Sequence, residues 1–177
     1  MPESMSDPKP IAETPSTLPL TRYRRFESFK EYESLLDALV PRTESVIRVF
    51  DRVLPRAWND RARMALIRQF LLRNRANKLM MVLHVTDTIE RELPRVVELT
   101  ADFGHAVKIR QTPKMAHHIH DPFVIFDASH YLHRFHHAHM RAAHGSHDVE
   151  GAQQLLDRHT ELWGASTPVD PASVSGL

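Results

Sequence analysis

The side chains in this sequence best suited to chemistry are histidines, and they are unevenly distributed. The chain has 177 residues and 13 histidines, most of which fall between His105 and His159. Imidazole can act as a nucleophile, as a general base or as a neutral metal ligand. Residues 118–127 read HIHDPFVIFD, so His120 and Asp127 flank a short apolar run of β-forming residues. This stretch offers an imidazole and a carboxylate at the two ends of one predicted strand.

The other histidines around this strand suggest a second chemistry, metal binding. They are His117 and His118 before the strand, and His130, His133, His136, His137 and His139 after it. Imidazole suits zinc, nickel or copper, so we take His133 and His136 as candidate metal ligands, with oxygen from Asp121 or Asp148. The spacing matches no established zinc signature. A third interpretation is pH sensitivity, because clustered imidazoles titrate near ~6.5.

The elements that must position these residues alternate between helices and strands. Apolar residues at helical spacing and short runs of β-formers give the order α-β-α-β-α-β-β-β-α. Ser28 is a suitable cap for the first helix, and the second is expected to start near Asp60. The unbroken apolar run at residues 79–83 suits a strand that is covered on both faces. The sequence therefore predicts an α/β fold, with a mixed sheet flanked by helices.

Composition predicts one cytoplasmic domain with polar ends. The net charge is +1, cysteine is absent, and no apolar run approaches the ~18–20 residues that span a bilayer. We expect no secretory signal, no membrane span and no cofactor. Five of the 12 prolines lie in the first 20 residues. We therefore expect a disordered leader at 1–21, a folded domain at 22–166 and a disordered tail at 167–177.

Residues 118–127 resemble the signature motif of the phospholipase D superfamily: a histidine, any residue, a lysine, four residues and an aspartate. His120 and Asp127 match, and Pro122 stands in place of the lysine. The surroundings are similar too, with a strand before the motif, a hairpin after it and a closing helix that ends in Leu-Trp. The resemblance covers most of residues 26–166 and implies a phospholipase D-like half-domain. The chain is most similar to an uncharacterised bacterial branch with a degenerate motif, whose domains occur alone or behind an N-acetyltransferase domain.

The resemblance implies roles for the two matching residues. In active members the histidine attacks phosphorus to form a phosphohistidine, and the aspartate orients the imidazole. These roles would fall to His120 and Asp127. A simpler alternative makes Asp127 the start of a turn and His120 a loop residue. Because the chain has one motif copy and no internal repeat, phosphodiesterase activity would require a homodimer.

The missing lysine puts catalysis in doubt. In the family it holds the phosphoryl oxygens, and loss of one such group typically costs about 10²–10³-fold in rate. Lys108, Lys114 and Arg134 lie on flanking segments and are candidate phosphate-binding replacements. The family also tends to carry a Gly-Ser-x-Asn segment after the motif, of which residues 145–148, GSHD, are a loose echo.

A row of basic residues on the second helix raises nucleic-acid binding as a further possibility. The row comprises Arg61, Arg63, Arg68, Arg73, Arg75 and Lys78. Phosphate contacts come from such rows, but no aromatic residues for base stacking lie between the charges. We interpret it as a solvated helix face and do not expect a nucleic-acid partner.

Three functions remain open from the sequence. The first is a non-catalytic phospholipase D-like domain that serves binding or assembly, as a homodimer or beside a protein partner such as an acetyltransferase. The second is a homodimeric phosphodiesterase or nuclease with a degenerate motif. The third is a metal-binding protein that uses the histidine cluster.

Overall fold

The chain folds around one eight-stranded mixed sheet in a computed structural model that describes residues 20–173. In chain order the elements are β1 (Arg22–Phe26), α1 (Phe29–Leu39), β2 (Val46–Val53), α2 (Arg61–Arg73), β3 (Lys78–Val85), α3 (Ile89–Glu92), α4 (Pro94–Asp102), β4 (Val107–Gln111), β5 (Phe123–Phe126), β6 (His130–His136), β7 (His139–Ser146), α5 (Val149–Ala165) and β8 (Thr167–Val169). Short 3₁₀ turns occupy Val40–Arg42, Arg56–Asn59 and Lys114–Ala116.

The strand order is β1-β7-β6-β5-β2-β3-β4-β8. Strands β2, β3 and β4 run parallel, whereas β5 runs antiparallel to β2, and β6, β7 and β1 continue the antiparallel half. The carboxyl ends of the three parallel strands therefore share an edge with the residues that lead into β5. We call this edge of the sheet the mouth, and it also contains the tip of the β6–β7 hairpin.

Helix starts follow from local side-chain chemistry. The Ser28 hydroxyl accepts a bond of 3.3 Å from the Glu31 N–H at the start of α1, and the Asp60 carboxylate accepts one of 2.9 Å from the Arg63 N–H at the start of α2. Both satisfy backbone donors that have no partner within the helix. These two predicted helix starts are confirmed.

Helices cover both faces of the sheet. Ile47 and Val49 of β2 face the core formed with α1, α2 and α4, whereas Phe50 faces a smaller core with α5. The alternation follows from the two-residue period of a strand. The predicted fold class, an α/β sandwich with a mixed sheet between helices, is confirmed by this architecture.

Three strands lie outside the predicted elements. Strand β1 forms one sheet edge, β7 pairs with both β1 and β6, and β8 pairs antiparallel with β4. The segment predicted as a disordered tail, 167–177, thus begins with a strand. Apart from Leu20 and Thr21, the predicted leader at 1–21 lies outside the described residues, as do 174–177. Of the helices between residues 20 and 173, none has the length and hydropathy of a membrane-spanning segment.

Candidate functional site

The loop that leads into β5 carries His120 to the mouth, and a buried histidine of β3 holds this loop in place. The Nε2 atom of His84 lies 2.9 Å from the Ile119 carbonyl oxygen, and its Nδ1 atom lies 2.6 Å from the Thr112 hydroxyl. A carbonyl can only accept, so Nε2 carries the proton and Nδ1 accepts from Thr112. Burial lowers the pKa of His84, which favours this neutral form.

The tip of the β6–β7 hairpin brings two further histidines to His120. The strand register shifts between Arg134 and His136, an irregularity that re-aims side chains next to it. The His137 N–H donates to the His120 carbonyl at 2.8 Å. The ring of His120 lies 5.5 Å from those of both His136 and His137. Nitrogen atoms of the three imidazoles all lie within 4.8 Å of one another.

The surroundings of His137 disfavour a positive charge on its ring. Burial lowers the pKa of His137, and the neighbouring His136, Arg52 and His120 lower it further. The Nδ1 atom of His137 is buried without a hydrogen-bond partner. By contrast, Nδ1 of His136 accepts from the Ala138 N–H at 3.1 Å. His120 itself is exposed, so the trio faces solvent on one side.

Arg134 lies beside the position that lacks the motif lysine. Its N–H donates to the Pro122 carbonyl at 2.8 Å, so the two residues are direct neighbours on adjacent strands. The guanidinium is buried, lies 3.7 Å from an Asp51 carboxylate oxygen and donates to the His137 carbonyl at 2.5 Å. Burial raises the pKa of Asp51 to about 7, although the Arg134 charge and the Arg52 N–H oppose that rise. The guanidinium of Arg134 is therefore committed to protein groups.

His133 faces the other side of the sheet and belongs to a separate cluster. Its Nε2 atom lies 2.9 Å from the Asp121 carboxylate, which also accepts from the Arg158 guanidinium of α5. The histidine and arginine contacts lower the pKa of Asp121 against the opposing effect of burial, which is the largest single influence. The predicted metal pair of His133 and His136 is therefore not brought together. His136 joins the trio, and His133 does not.

Asp127 lies at the end of β5 opposite the mouth. One carboxylate oxygen accepts from the Glu44 N–H at 2.8 Å, and the other accepts from the Ser45 N–H and hydroxyl at 2.8 Å and the Val46 N–H at 3.1 Å. Asp127 has a φ of 55°, in the left-handed region that aspartate tolerates better than most residues. The structure does not bring Asp127 and His120 together, so this carboxylate cannot orient that imidazole. The alternative, in which Asp127 starts a turn, fits the geometry.

The remaining predicted phosphate ligands are scattered. Lys108 is exposed on β4, and its ammonium donates to the Gly104 carbonyl at the edge opposite the mouth. Lys114 lies in the 3₁₀ turn after β4, on the mouth side, and is exposed. The echo of the family's glycine-serine segment also falls at the far edge, where Asp148 caps α5 and accepts from the Tyr131 hydroxyl at 2.6 Å. Only Arg134 lies against the motif strand at the mouth.

The basic row of α2 is largely engaged within the protein. Arg63 is buried against Asp37, and Arg68 pairs with Asp102 at 2.6 Å. Arg73 donates to two backbone carbonyls, those of Pro41 at 2.7 Å and Thr43 at 2.5 Å. These contacts account for three members of the row by packing and capping of the helical layer.

Comparison with solved structures places this fold in the phospholipase D class. Nuc from Salmonella typhimurium, described as a phospholipase D family member, has a TM-score of 0.62 at 13% identity over 85% of this chain and 99% of that chain. NucT from Helicobacter pylori has a TM-score of 0.55 at 9% identity over 85% of this chain and 100% of that one. TrmBL2, an archaeal chromatin protein whose structure is described as showing a novel mode of DNA binding, has a TM-score of 0.60 at 14% identity over 89% of this chain and 56% of that chain.

The family model that matches is more specific than the fold. Residues 29–171 match the family described as Domain of unknown function (DUF7931), and the chain belongs to that family. No curated protein matches the sequence. At identities below 25%, the structural likenesses establish the fold alone. The predicted phospholipase D-like fold is confirmed, and activity must be argued from the site.

Three residues of the mouth were missed by sequence reasoning: Asp51, His84 and His137. Asp51 and His84 are polar residues near the carboxyl ends of strands that otherwise read as apolar. In open α/β sheets, ligands bind outside these strand ends, so a polar residue there is a usable signal. His137 stood among several histidines, and the sequence carries no signal that separates it from its neighbours.

Proposed function

We propose that this protein is a non-catalytic phospholipase D-like domain that acts in binding or assembly. The observation that carries the proposal is the pairing of Pro122 with Arg134 at the mouth. Proline supplies neither a charge nor an N–H where the family has its lysine. The adjacent guanidinium is buried against Asp51 and is already hydrogen-bonded to a backbone carbonyl. Arg134, the predicted replacement that lies beside Pro122, is therefore not free to meet a phosphoryl group.

The position of Asp127 supports the same conclusion. Its carboxylate is saturated by four donors at the far end of β5, so nothing in the motif orients or charges the His120 imidazole. A histidine without an orienting partner is a weaker base and nucleophile. The degenerate motif therefore keeps the residues that build the strand and its turn, and it lacks the groups that stabilise developing charge.

The test is phosphodiesterase turnover with matched histidine variants. Wild-type protein, His120→Ala and His105→Ala are assayed on bis(p-nitrophenyl) phosphate and on DNA. His105 is the control because it is exposed at the edge opposite the mouth. We expect equal, background rates from all three proteins. Turnover that is retained by His105→Ala and lost in His120→Ala would overturn the proposal.

Binding or assembly in this proposal involves a homodimer and a partner such as an acetyltransferase. Both follow from the resemblance to single-motif domains that occur behind N-acetyltransferase domains. The homodimer predicts a solution mass of twice the 20.4 kDa of the chain by light scattering. For the partner, an acetyltransferase encoded beside this gene is purified and titrated with the domain. Saturable binding supports the auxiliary role, and its absence removes that partner.

A second candidate is a homodimeric phosphodiesterase or nuclease that uses Arg134 in place of the lysine. It is favoured by one observation, the position of Arg134 next to Pro122 on the neighbouring strand. For this function the guanidinium must leave Asp51, a buried carboxyl whose pKa of about 7 lets it become neutral near physiological pH. Activity that rises on mild acidification and is lost in both His120→Ala and Arg134→Gln identifies this candidate.

A further inference from the structure

We propose that His120, His136 and His137 form a binding site for one divalent transition metal ion of the zinc class at the mouth. The proposal deepens the proposed function by naming the ligand of the same surface. It rests on that function in one respect, because a metal-bound His120 imidazole cannot also be a free nucleophile.

The first argument is convergence. The three side chains come from two separate segments, the loop before β5 and the β6–β7 hairpin tip, yet their nitrogen atoms lie within 4.8 Å of one another. The backbone bond from the His137 N–H to the His120 carbonyl, at 2.8 Å, ties these two segments together. Among residues 20–173, no other trio of histidine, aspartate and glutamate side chains brings its ligand atoms this close.

The second argument is an unpaired nitrogen. The Nδ1 atom of His137 is buried and has no hydrogen-bond partner. Buried polar atoms in native proteins are nearly always paired, so an exception calls for an unrecorded partner. Five other side-chain nitrogens of residues 20–173 are in the same state, and of the six only this one belongs to a residue of the converging trio. A metal ion bound by this nitrogen is such a partner.

The third argument concerns the adjustment that binding requires. Zinc–imidazole bonds of about 2.0–2.1 Å in a tetrahedral site place ligand nitrogens roughly 3.3 Å apart. The rings of His136 and His137 are stacked with centroids 4.5 Å apart, so one of them must rotate before both can face the same ion. Ligation by Nε2 of His136 would keep the 3.1 Å bond from the Ala138 N–H to Nδ1, whereas ligation by Nδ1 would exchange it for a metal bond. The rotation falls at the hairpin tip, where His136 and His137 are half-buried.

Three imidazole ligands favour certain metals and leave one coordination position of the ion open. Three neutral imidazoles favour zinc, nickel or copper over magnesium or calcium, which prefer oxygen. Three protein ligands leave the fourth position of a tetrahedral ion open. His120 is exposed, so that position faces solvent. The nearby charge of Arg52 favours an anion there.

The experiment measures zinc binding by protein that is purified without a histidine tag and stripped with chelator. Competition with a chromogenic zinc indicator gives the affinity, and metal analysis after gel filtration gives the stoichiometry. We expect one zinc ion per chain. His120→Asn, His136→Asn and His137→Asn should each weaken binding by at least about 10-fold, because each removes a direct ligand. Cobalt(II) replaces zinc as a spectroscopic probe, and its visible spectrum is expected to report a four-coordinate site.

Three controls separate this site from adventitious binding to a histidine-rich chain. His105→Asn changes an exposed histidine at the opposite edge, and His133→Asn changes one that is bound to Asp121. His118→Asn changes an exposed neighbour in the same loop as His120. All three should keep wild-type affinity within about 2-fold. Thermal unfolding confirms that each variant is folded, and zinc should raise the Tm of wild type and of the controls only.

The outcomes distinguish the two proposals. No stoichiometric zinc, or zinc binding that is unchanged in His137→Asn and His120→Asn, overturns the metal site and leaves the non-catalytic function standing. Turnover that depends on His120 in metal-free protein overturns the non-catalytic function. Loss of affinity in His133→Asn equal to that in His137→Asn also overturns the site, because it shows diffuse binding over the histidine-rich surface.

Discussion

The two ends of β5 carry polar groups in opposite states. At the far end, the Asp127 carboxylate accepts four hydrogen bonds from residues 44–46 and leaves no lone pair that needs a further partner. At the mouth, the His137 Nδ1 and Arg134 Nε atoms are buried without partners, and the His120 imidazole is exposed. The far end joins β5 to the start of β2, although the His130 Nδ1 atom there is also buried without a partner. What distinguishes the mouth is that three imidazoles converge there, one of them exposed.

The largest expected loss in the free energy of unfolding comes from Arg134, and it tests how much the mouth contributes to the stability of the fold. Arg134→Met leaves Asp51 buried without its cation and should cost about 3 kcal/mol in the free energy of unfolding at pH 8, measured by urea denaturation. The double variant Arg134→Met/Asp51→Leu should recover most of that loss, because an apolar pair needs no compensation. A single-variant loss below about 1 kcal/mol would show that this pair contributes little.

A similar effect is expected at acid pH from His159, a buried imidazole with no ligand role. Burial, and then the charge of Arg48, lowers the pKa of His159 from 6.5 to about 4, so the unfolded chain binds a proton that the folded chain does not. Stability from this group is present above pH 6.5 and falls by about 3 kcal/mol as pH drops to 4. His159→Phe keeps an aromatic ring against Trp163 and should remove this part of the pH dependence, measured by urea denaturation from pH 4 to 7.

Asp51 also makes the free energy of unfolding depend on pH, but in the opposite direction to His159. Its folded pKa of about 7 exceeds the usual 3.8, so the folded chain binds the extra proton and stability rises as pH falls through this range. The difference between wild type and His159→Phe isolates the histidine, since Asp51 is present in both proteins. Equal slopes for the two proteins would contradict the assignment to His159.

A smaller loss is expected at the far end of β5. Asp127→Ala removes the acceptor of three N–H groups and one hydroxyl, partly replaced by water, and should cost about 2 kcal/mol by urea denaturation. Asp127→Asn, which keeps one acceptor and tolerates the left-handed backbone, should cost less. Zinc affinity should be unchanged in both variants if the two ends are independent. A loss of zinc affinity in either variant would show that the two ends of β5 are coupled.

The smallest change in stability is expected at the mouth itself. His120→Asn replaces an exposed side chain that has no hydrogen bond to the core, so the free energy of unfolding should move by less than about 0.5 kcal/mol. The same variant should lose zinc affinity. A destabilisation above 1 kcal/mol would show that His120 is a structural residue and not a ligand-facing one.

The fold was accessible from sequence because its signals are local and repeated. Apolar residues at helical spacing, caps at Ser28 and Asp60, and the apolar runs of β3 and β5 are each short-range patterns. Strands β1 and β7 were not predicted from the sequence, because their apolar patterns are weaker. Four of the five residues of β1 are exposed at the sheet edge, including three arginines, and β7 places small residues at its buried positions.

Only part of the site could be predicted from the sequence, because the spacing of a motif is counted along the chain and not through space. Seven residues of largely extended chain span roughly 20 Å, so His120 and Asp127 cannot touch unless the chain folds back between them. It does not. The neighbours of His120 come instead from β2, β3 and the hairpin tip, and these are long-range contacts that spacing does not encode. The match located the correct strand and misassigned the partner of its histidine.

The hydrogen bonds of His84 beneath the loop before β5 affect how a ligand could bind at the mouth. Both ring nitrogens of His84 are engaged, with Thr112 and with the Ile119 carbonyl. His84 therefore ties Ile119, and with it the adjoining His120 backbone, to the sheet. A ligand that binds at the mouth would therefore meet a His120 backbone whose position His84 has already fixed.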